Sequence, residues 1–261
     1  MKVLTFNLRN YTDDHWKERL HYIAKILCDI DPDVAAFQEV RGINDDPCCQ
    51  NMAQQVRALC PGYLSLVTVP AMCYAGQGVW EGLSIMSKWT VADWLYEQLT
   101  WTKSNGNTDW NRRVMVWAKF LADGGALWIS NNHFAVPDDP TQQMQNVTEV
   151  LEALGGIVDG PALLVGDLNA LPQSDVWNAI DEDGWTDLWD ELRPGEDGGT
   201  YPTEATPQHG VLEERIDYLW ANPAFMSLAH DVSIRRVFMK RDSSTDLFAS
   251  DHVGVLMEFG F

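Results

Sequence analysis

The feature that most constrains this chain is a recurrent one: short apolar runs that end in side chains a hydrophobic interior would not select. Residues 3–6 run into Asn7, residues 34–37 into Gln38 and Glu39, and residues 126–130 into Asn131, Asn132 and His133. Residues 163–166 lead to Asp167 and Asn169, Ile216 is followed by Asp217, and Ser250, Asp251 and His252 introduce the last run. Short apolar runs between turn formers suit buried strands. Strands that repeatedly deliver Asn, Glu, Asp and His at one end build a rigid rim of oxygen and imidazole donors. Hard oxygen donors without thiolates suit Mg²⁺, Mn²⁺ or Ca²⁺ better than zinc. Taken singly, an Asp after a strand is more often a turn or cap residue. The pairs Asp167 with Asn169 and Asp251 with His252 carry more weight, because each puts two such residues on one short turn.

The runs at 3–7, 34–38, 82–87, 126–131, 162–166, 216–220 and 253–259 are expected to be strands, with 113–121 as another. Helices are expected over 16–28, capped by oxygens from residues 12–14, and roughly over 141–154. In the first, Trp16, Leu20, Ile23, Ala24 and Leu27 share one face. In the second, Met144, Val147, Leu151 and Leu154 do. Turn residues recur along the chain rather than collecting in one linker, so residues 1–261 read as a single domain. Strands and helices mix without a strict βαβ rhythm, which suggests two packed sheets flanked by helices.

Composition narrows the partners. The 261 residues are 46% hydrophobic, with 12 Trp, enough for a sizeable core. Lys and Arg number 18 against 38 Asp and Glu, a net charge of −20. Such a surface repels polyanions at long range and disfavours loose sliding on DNA, although cations bound in one cleft can reverse the local field. The basic residues cluster only at Arg112–Arg113, Arg235–Arg236 and Lys240–Arg241. Of the Trp residues, some of Trp80, Trp89, Trp101 and Trp110 could line a pocket, while most Trp in any domain are core. The five cysteines show no CxxC spacing, which points to a reducing compartment. No signal peptide and no membrane-spanning run is legible, so a cytoplasmic monomer is expected.

The segments TFNLR (5–9), DVAAFQEV (33–40), EGLSIMSKW (81–89), ISNNHF (129–134), LLVGDLNA (163–170), RIDYLW (215–220) and SDHVGV (250–255) together resemble the endonuclease/exonuclease/phosphatase superfamily, the DNase I-like group. The resemblance spans nearly the whole chain. It implies a four-layer α/β sandwich, two packed β-sheets with outer helices, and divalent-metal-dependent hydrolysis of a phosphoester. By position, Asn7, Glu39 and Asp251 match residues that hold or orient Mg²⁺ or Mn²⁺, with Ca²⁺ also allowed. Asp167 and Asn169 match the GDxN pair, His252 the histidine beside the phosphate, and Asp217 its carboxylate partner. His133 matches a second histidine, Arg113 a phosphate-contacting arginine, and Glu81 a carboxylate that orients His133 or reaches the metal. Trp16 and Arg19 resemble a W-x-x-R that follows the first strand in many members. Two departures are Gln142 and Gln145, where an Arg-x-x-Gln is common, and Leu168, where Phe is common. The first marks a candidate substrate rim. Composition favours a small or short phosphoester. A nuclease acting on DNA or RNA is the competing reading, and a catalytically silent acidic binding protein a third.

Overall fold

The computed structural model describes residues 1–10, 15–43, 51–74, 78–101, 111–122, 125–138, 140–202 and 212–261. The chain opens with β1 (Lys2–Asn7), α1 (Trp16–Ile30), β2 (Val34–Ile43) and α2 (Met52–Leu59). The strands β3 (Ser65–Tyr74), β4 (Val79–Ser87), β5 (Thr90–Gln98), β6 (Val114–Ala122) and β7 (Gly125–His133) follow. Next come α3 (Pro140–Ile157), β8 (Ala162–Asp167), α4 (Asp175–Glu182), β9 (Thr186–Asp187) and α5 (Leu188–Leu192). The chain ends with β10 (Tyr201–Pro202), β11 (Leu212–Glu214), β12 (Asp217–Ala221), α6 (Pro223–Leu228), β13 (His230–Val237) and β14 (Gly254–Gly260).

Among the described residues these strands form two six-stranded sheets, ordered β13-β14-β1-β2-β4-β3 and β5-β6-β7-β8-β12-β9, beside a small β10–β11 pair. Most neighbours run antiparallel, but β1 with β2 and β7 with β8 are parallel. A parallel pair needs a crossover, and α1 and α3 provide one for each sheet. The central strands are apolar on both faces because both faces are covered. Val3, Val34, Ile85, Val116, Ile129, Val165, Leu219 and Val255 interlock between the sheets. Leu4, Phe6, Phe37 and Leu256 pack outward on Ile23, Leu27 and Val56 of α1 and α2. Leu164, Trp128 and Trp220 pack on Val147, Leu154 and Ile180 of α3 and α4. The result is the expected four-layer sandwich.

Several local expectations are corrected. The run at 34–38 does not end at Gln38. Strand β2 continues to Ile43 through a shift of register between Phe37 and Val40. Strands β3, β5 and β13 escaped the sequence reading. Strand β5 is an exposed edge with no buried face, and β13 alternates with charges, so neither carries a continuous apolar signal. Helix α1 begins after His15, and residues 12–14 lie outside the described residues, as do Cys48, Cys49, Trp110 and His209. Trp80 and Trp89 pack on the cores, and Arg112 stacks over Trp101 at 5.1 Å. Gln142 and Gln145 donate to Thr100 O and Glu149 Oε1. No helix among the described residues is long and apolar enough to cross a membrane.

Gly166, the residue before Asp167, adopts φ +135°, and a Cβ there would run into the carbonyl oxygen of Asn132 on the neighbouring strand. Both the backbone conformation and the close approach require glycine. Gly166→Ala is therefore expected to destabilise the fold by about 2 kcal/mol or more, read as a lower urea midpoint. A midpoint equal to that of the unaltered chain would refute this account.

Candidate active site

Strand register places the candidate residues side by side. Asp167 at the end of β8 is the Cα partner of His133 on β7 and of Asp217 on β12. Asn7 closes β1 in the facing sheet and bridges across, its Nδ2 donating to Asp167 Oδ2 at 2.9 Å and to Glu39 Oε1 at 3.1 Å. A cavity of about 430 Å³ opens over these strand ends, with Glu39, Glu81, Arg113, His133, Asp167, Asn169, Asp251 and His252 in its walls. Of the site residues that the resemblance implies, all except Asn7 and Asp217 line it directly, and those two stand behind Glu39, Asp167 and His252.

Two of these residues hold unusual backbone conformations. Glu39 has φ 53° and Asn169 φ 49°. Left-handed backbone is uncommon outside glycine and persists where the surroundings over-determine it. Glu39 sits in the irregularity of β2, where the break in alternation turns its carboxylate away from the ladder and onto the backbone N–H of Asn10, 2.6 Å away. Asn169 is held from three sides. Its N–H donates to Asp167 Oδ1, its Nδ2 donates to Phe134 O, and its carbonyl accepts from Gln143 Nε2.

The two imidazoles have opposite electrostatic settings. His252 Nδ1 lies 2.9 Å from Asp217 Oδ2, and its Nε2 lies 3.8 Å from Asp167 Oδ2. Burial opposes the imidazolium, but the Asp217 carboxylate, together with those of Asp167 and Asp251, outweighs it and raises the His252 pKa to about 10. His133 Nδ1 lies 3.0 Å from an Arg113 guanidinium nitrogen. A guanidinium only donates, so Nδ1 must accept and the proton sits on Nε2, 3.4 Å from Asp167 Oδ2. Burial and the Arg113 charge hold the His133 pKa well below its ordinary value, so His133 is a neutral Nε2–H donor. Asp167, buried among these groups, is raised to about 6, chiefly by desolvation.

On the other side of Asn7 three carboxylates, Glu39, Glu81 and Asp251, share the cavity. Burial and repulsion from Glu81 and Asp251 raise the Glu39 pKa to about 7. Glu81 accepts from Asn10 Nδ2 and from Tyr74 Oη at 2.8 Å, and of the two expectations for it, orienting His133 or reaching the metal, the place on His133 Nδ1 is taken by Arg113. Asp251 lies 3.6 Å from Arg9 Nε. Donor atoms of Asp167, Asp217 and His252 also lie within 4.8 Å of one another. That trio is already joined by the Asp217–His252 hydrogen bond. Glu39, Glu81 and Asp251 offer oxygen donors only, and a cation's charge would relieve the repulsion that raises Glu39.

Sequence reasoning missed the supports. Arg19 is buried and donates to Leu8 O, Ala249 O and Arg9 O, tying the end of β1 to the segment that carries Asp251. Thr200 Oγ1 accepts from the N–H groups of Ile216 and Asp217, and its carbonyl accepts from Val253 N, joining the Asp217 strand to His252. Tyr201 packs its ring 4.7 Å from that of His252. Asn10, Tyr74 and Thr200 carry no pattern readable in one sequence. Arg19 was marked, by its spacing from Trp16, without a role.

Comparison with known proteins agrees with this architecture. The model of the Endonuclease/Exonuclease/phosphatase family matches residues 4–252. No curated protein matches the chain. Among solved structures, an endonuclease/exonuclease/phosphatase family protein from Leptotrichia buccalis superposes with a TM-score of 0.78 at 20% identity, covering 100% of both chains. A mannosyl-6-phosphatase from Bacteroides thetaiotaomicron gives 0.74 at 21% identity, again over 100% of both. D. rerio TDP2, humanized by 14 mutations, gives 0.73 at 17%, covering 100% of this chain and 99% of that one. At these identities the structural likeness establishes the fold.

The two histidine environments are directly measurable. In metal-free protein, ¹⁵N NMR should find His133 as the neutral Nε2–H tautomer across about pH 6 to 8. His252 should stay doubly protonated until the pH nears about 10. Asp217→Asn should bring the His252 titration down by about two units or more. A His252 that titrates near its ordinary value in the unaltered chain would show that Asp217 does not govern it.

Proposed function

The chain belongs to the endonuclease/exonuclease/phosphatase family, and on that premise we propose that it is a divalent-metal-dependent phosphoesterase acting on a small or short substrate. The observation that carries the reading is the Asp217–His252–Asp167 chain, placed in the same cavity as the crowded carboxylates Glu39, Glu81 and Asp251. In a binding protein, so many buried, mutually repelling or strained polar groups would cost stability without a compensating use.

Glu39 and Asp251 would hold Mg²⁺ or Mn²⁺, with Glu81 beside them; Asn7 would keep Glu39 and Asp167 apart while donating to both. A bound cation would supply Lewis-acid stabilisation of charge on phosphate oxygens. In the reaction a water oxygen bonds to phosphorus, the bond from phosphorus to the ester oxygen breaks, and the leaving oxygen gains a proton. Asp217 would fix the Nδ1 proton of His252, leaving Nε2 as the atom that exchanges a proton or hydrogen bond with the reacting phosphate. His133, through Nε2–H, and Asn169, through an amide hydrogen not engaged by Phe134 O, would be preoriented donors to developing negative charge. Arg113 would act through His133, whose tautomer it sets.

Charge supports a small substrate over a long polyanion. Besides the net charge of −20, most of the basic residues that might have formed a groove are engaged within the chain. Arg235 pairs with Glu258, Arg236 donates to Gly199 O, and Arg241 pairs with Asp246. The same fold serves a mannosyl-6-phosphatase elsewhere, so it can accommodate a small phosphoester.

With Mn²⁺ present, the protein should release nitrophenolate from a nitrophenyl phosphodiester, and His252→Ala should lower kcat by about 10²- to 10⁴-fold. Mn²⁺ should also raise the melting temperature of the unaltered chain and not of a Glu39→Gln, Asp251→Asn double variant, as expected for a ligand that binds only the folded site. Faster cleavage of plasmid DNA than of small esters at physiological salt would favour a nuclease. A His252→Ala variant with more than about a third of the original activity would remove His252 from the mechanism.

A further inference from the structure

Beside the polar cavity lies a second one of about 290 Å³, and Asp251 and His252 line both. Beyond that shared wall the chemistry changes. Pro202, Leu212, Met239 and Phe248 give the second cavity apolar sides, with Arg236 and Asp197 as its remaining charges of opposite sign. These walls are fixed in part: Arg241 stacks over Phe248 at 5.0 Å, and Arg236 is held by Gly199 O at 2.7 Å and by the Trp189 ring at 5.6 Å. Met239 nonetheless leaves 42% of its surface in water, an apolar side chain with room for a partner.

We infer that this second cavity is a subsite for an apolar, preferably aromatic, group esterified to the phosphate that the first cavity handles. The inference rests on the proposed phosphoester hydrolysis. A phosphate hydrogen-bonded near His252 has its ester oxygens one bond away, and a substituent on one of them crosses the wall that Asp251 and His252 form. Apolar walls reward burial of a ring in proportion to the area removed from water. They offer nothing to a second phosphate, whose desolvation the single Arg236, balanced by Asp197, does not offset. The subsite therefore selects against the next phosphate of a polynucleotide and for an aryl ester. A sugar, whose hydroxyls would lose water against Leu212, Met239 and Phe248, gains less than a ring.

The test separates binding from turnover. Isothermal titration in the presence of Mn²⁺ compares phenylphosphonate with methylphosphonate, neither of which carries an ester bond to hydrolyse. Phenylphosphonate should bind about tenfold tighter or more, the size expected for moving a phenyl ring into an apolar cavity. Met239→Glu, at an exposed position outside the proposed catalytic set, should remove that advantage and leave methylphosphonate binding within about twofold. Phenyl p-nitrophenyl phosphate should likewise be hydrolysed with a higher kcat/KM than methyl p-nitrophenyl phosphate, through a lower KM. Equal affinity for the two phosphonates, no binding of either, or equal weakening of both by Met239→Glu would overturn the subsite. A phenyl preference in binding with no nitrophenolate released from either ester would keep the subsite and overturn the proposed function. Turnover of both esters without a phenyl preference in binding would do the reverse.

Discussion

The site depends on a polar bridge that crosses the interior from one sheet to the other. Asn131, fully buried on β7, donates from Nδ2 to the carbonyls of Phe37 and Ser84 in the facing sheet, each at 3.0 Å, and accepts from Gln38 Nε2 at 2.7 Å. Phe37 and Ser84 are the last paired residues of β2 and β4 before the register shifts. Beside this irregularity each of the two buried carbonyls takes a donor from outside its own sheet. Asn131 provides it from the other sheet. The break in β2 is thereby tolerated, and the break turns Glu39 into the cavity. The same bridge sets the two sheets against each other at the level where Asn7 spans from Glu39 to Asp167. An aliphatic side chain at 131 would pack comparably but would remove the three cross-sheet hydrogen bonds that join Asn131 to Phe37 O, Ser84 O and Gln38 Nε2.

This explains which parts were legible in the sequence. The central strands were readable because burial on both faces makes them continuous apolar runs, and their polar ends marked the cavity. Identity of the site residues came largely from the resemblance, since an isolated Asp after a strand says little. What was not legible arises from geometry that periodicity does not encode. Asn131 and Asn132 looked like the same kind of strand-end signal as His133, yet both are buried inside the sandwich, where Asn132 donates to Ser130 and Val165. Only His133 reaches the cavity. Conversely, Asn10, Tyr74, Thr200 and Gln143 touch the site from turns, edges or a helix, where single residues carry no repeating signal. Strand β5 was invisible because an exposed edge buries no face.

The two halves of the cavity are electrostatically distinct, and Asn7 lies between them. On one side, Glu39, Glu81 and Asp251 repel one another, and Glu39 is the group that bears the cost. On the other, Asp167 accepts from Asn7 Nδ2, with His133 Nε2 at 3.4 Å and His252 Nε2 at 3.8 Å, while burial still raises its pKa to about 6. Burial raises both Glu39 and Asp167, so the two halves differ in their partners: other carboxylates around Glu39, nitrogen groups around Asp167. The closely spaced Asp167, Asp217 and His252 include a direct hydrogen bond, with Asp217 Oδ2 2.9 Å from His252 Nδ1.

Strain and support are paired throughout. The left-handed residues Glu39 and Asn169 lie on opposite sheets, each at a point where the chain must leave its ladder to present a side chain. Conformations of this kind cost roughly 1–3 kcal/mol each and persist only when the surroundings hold them. Glu39 is held through Asn10 and Asn7, and Asn169 through Asp167, Phe134 and Gln143. In both cases the supporting hydrogen bonds end on atoms of the site itself, so the polar residues that shape the cavity also stabilise the backbone that presents them. The buried Arg215 extends this outward. It lies directly before Ile216 and Asp217, pairs with Asp187 at 2.6 Å, and stacks on Tyr218 at 4.9 Å. Burying that ion pair is costly unless its geometry is close to ideal. Its effect is to pin the strand that sets where Asp217 meets His252, which is why a charged residue occupies a position the core would otherwise give to an apolar one.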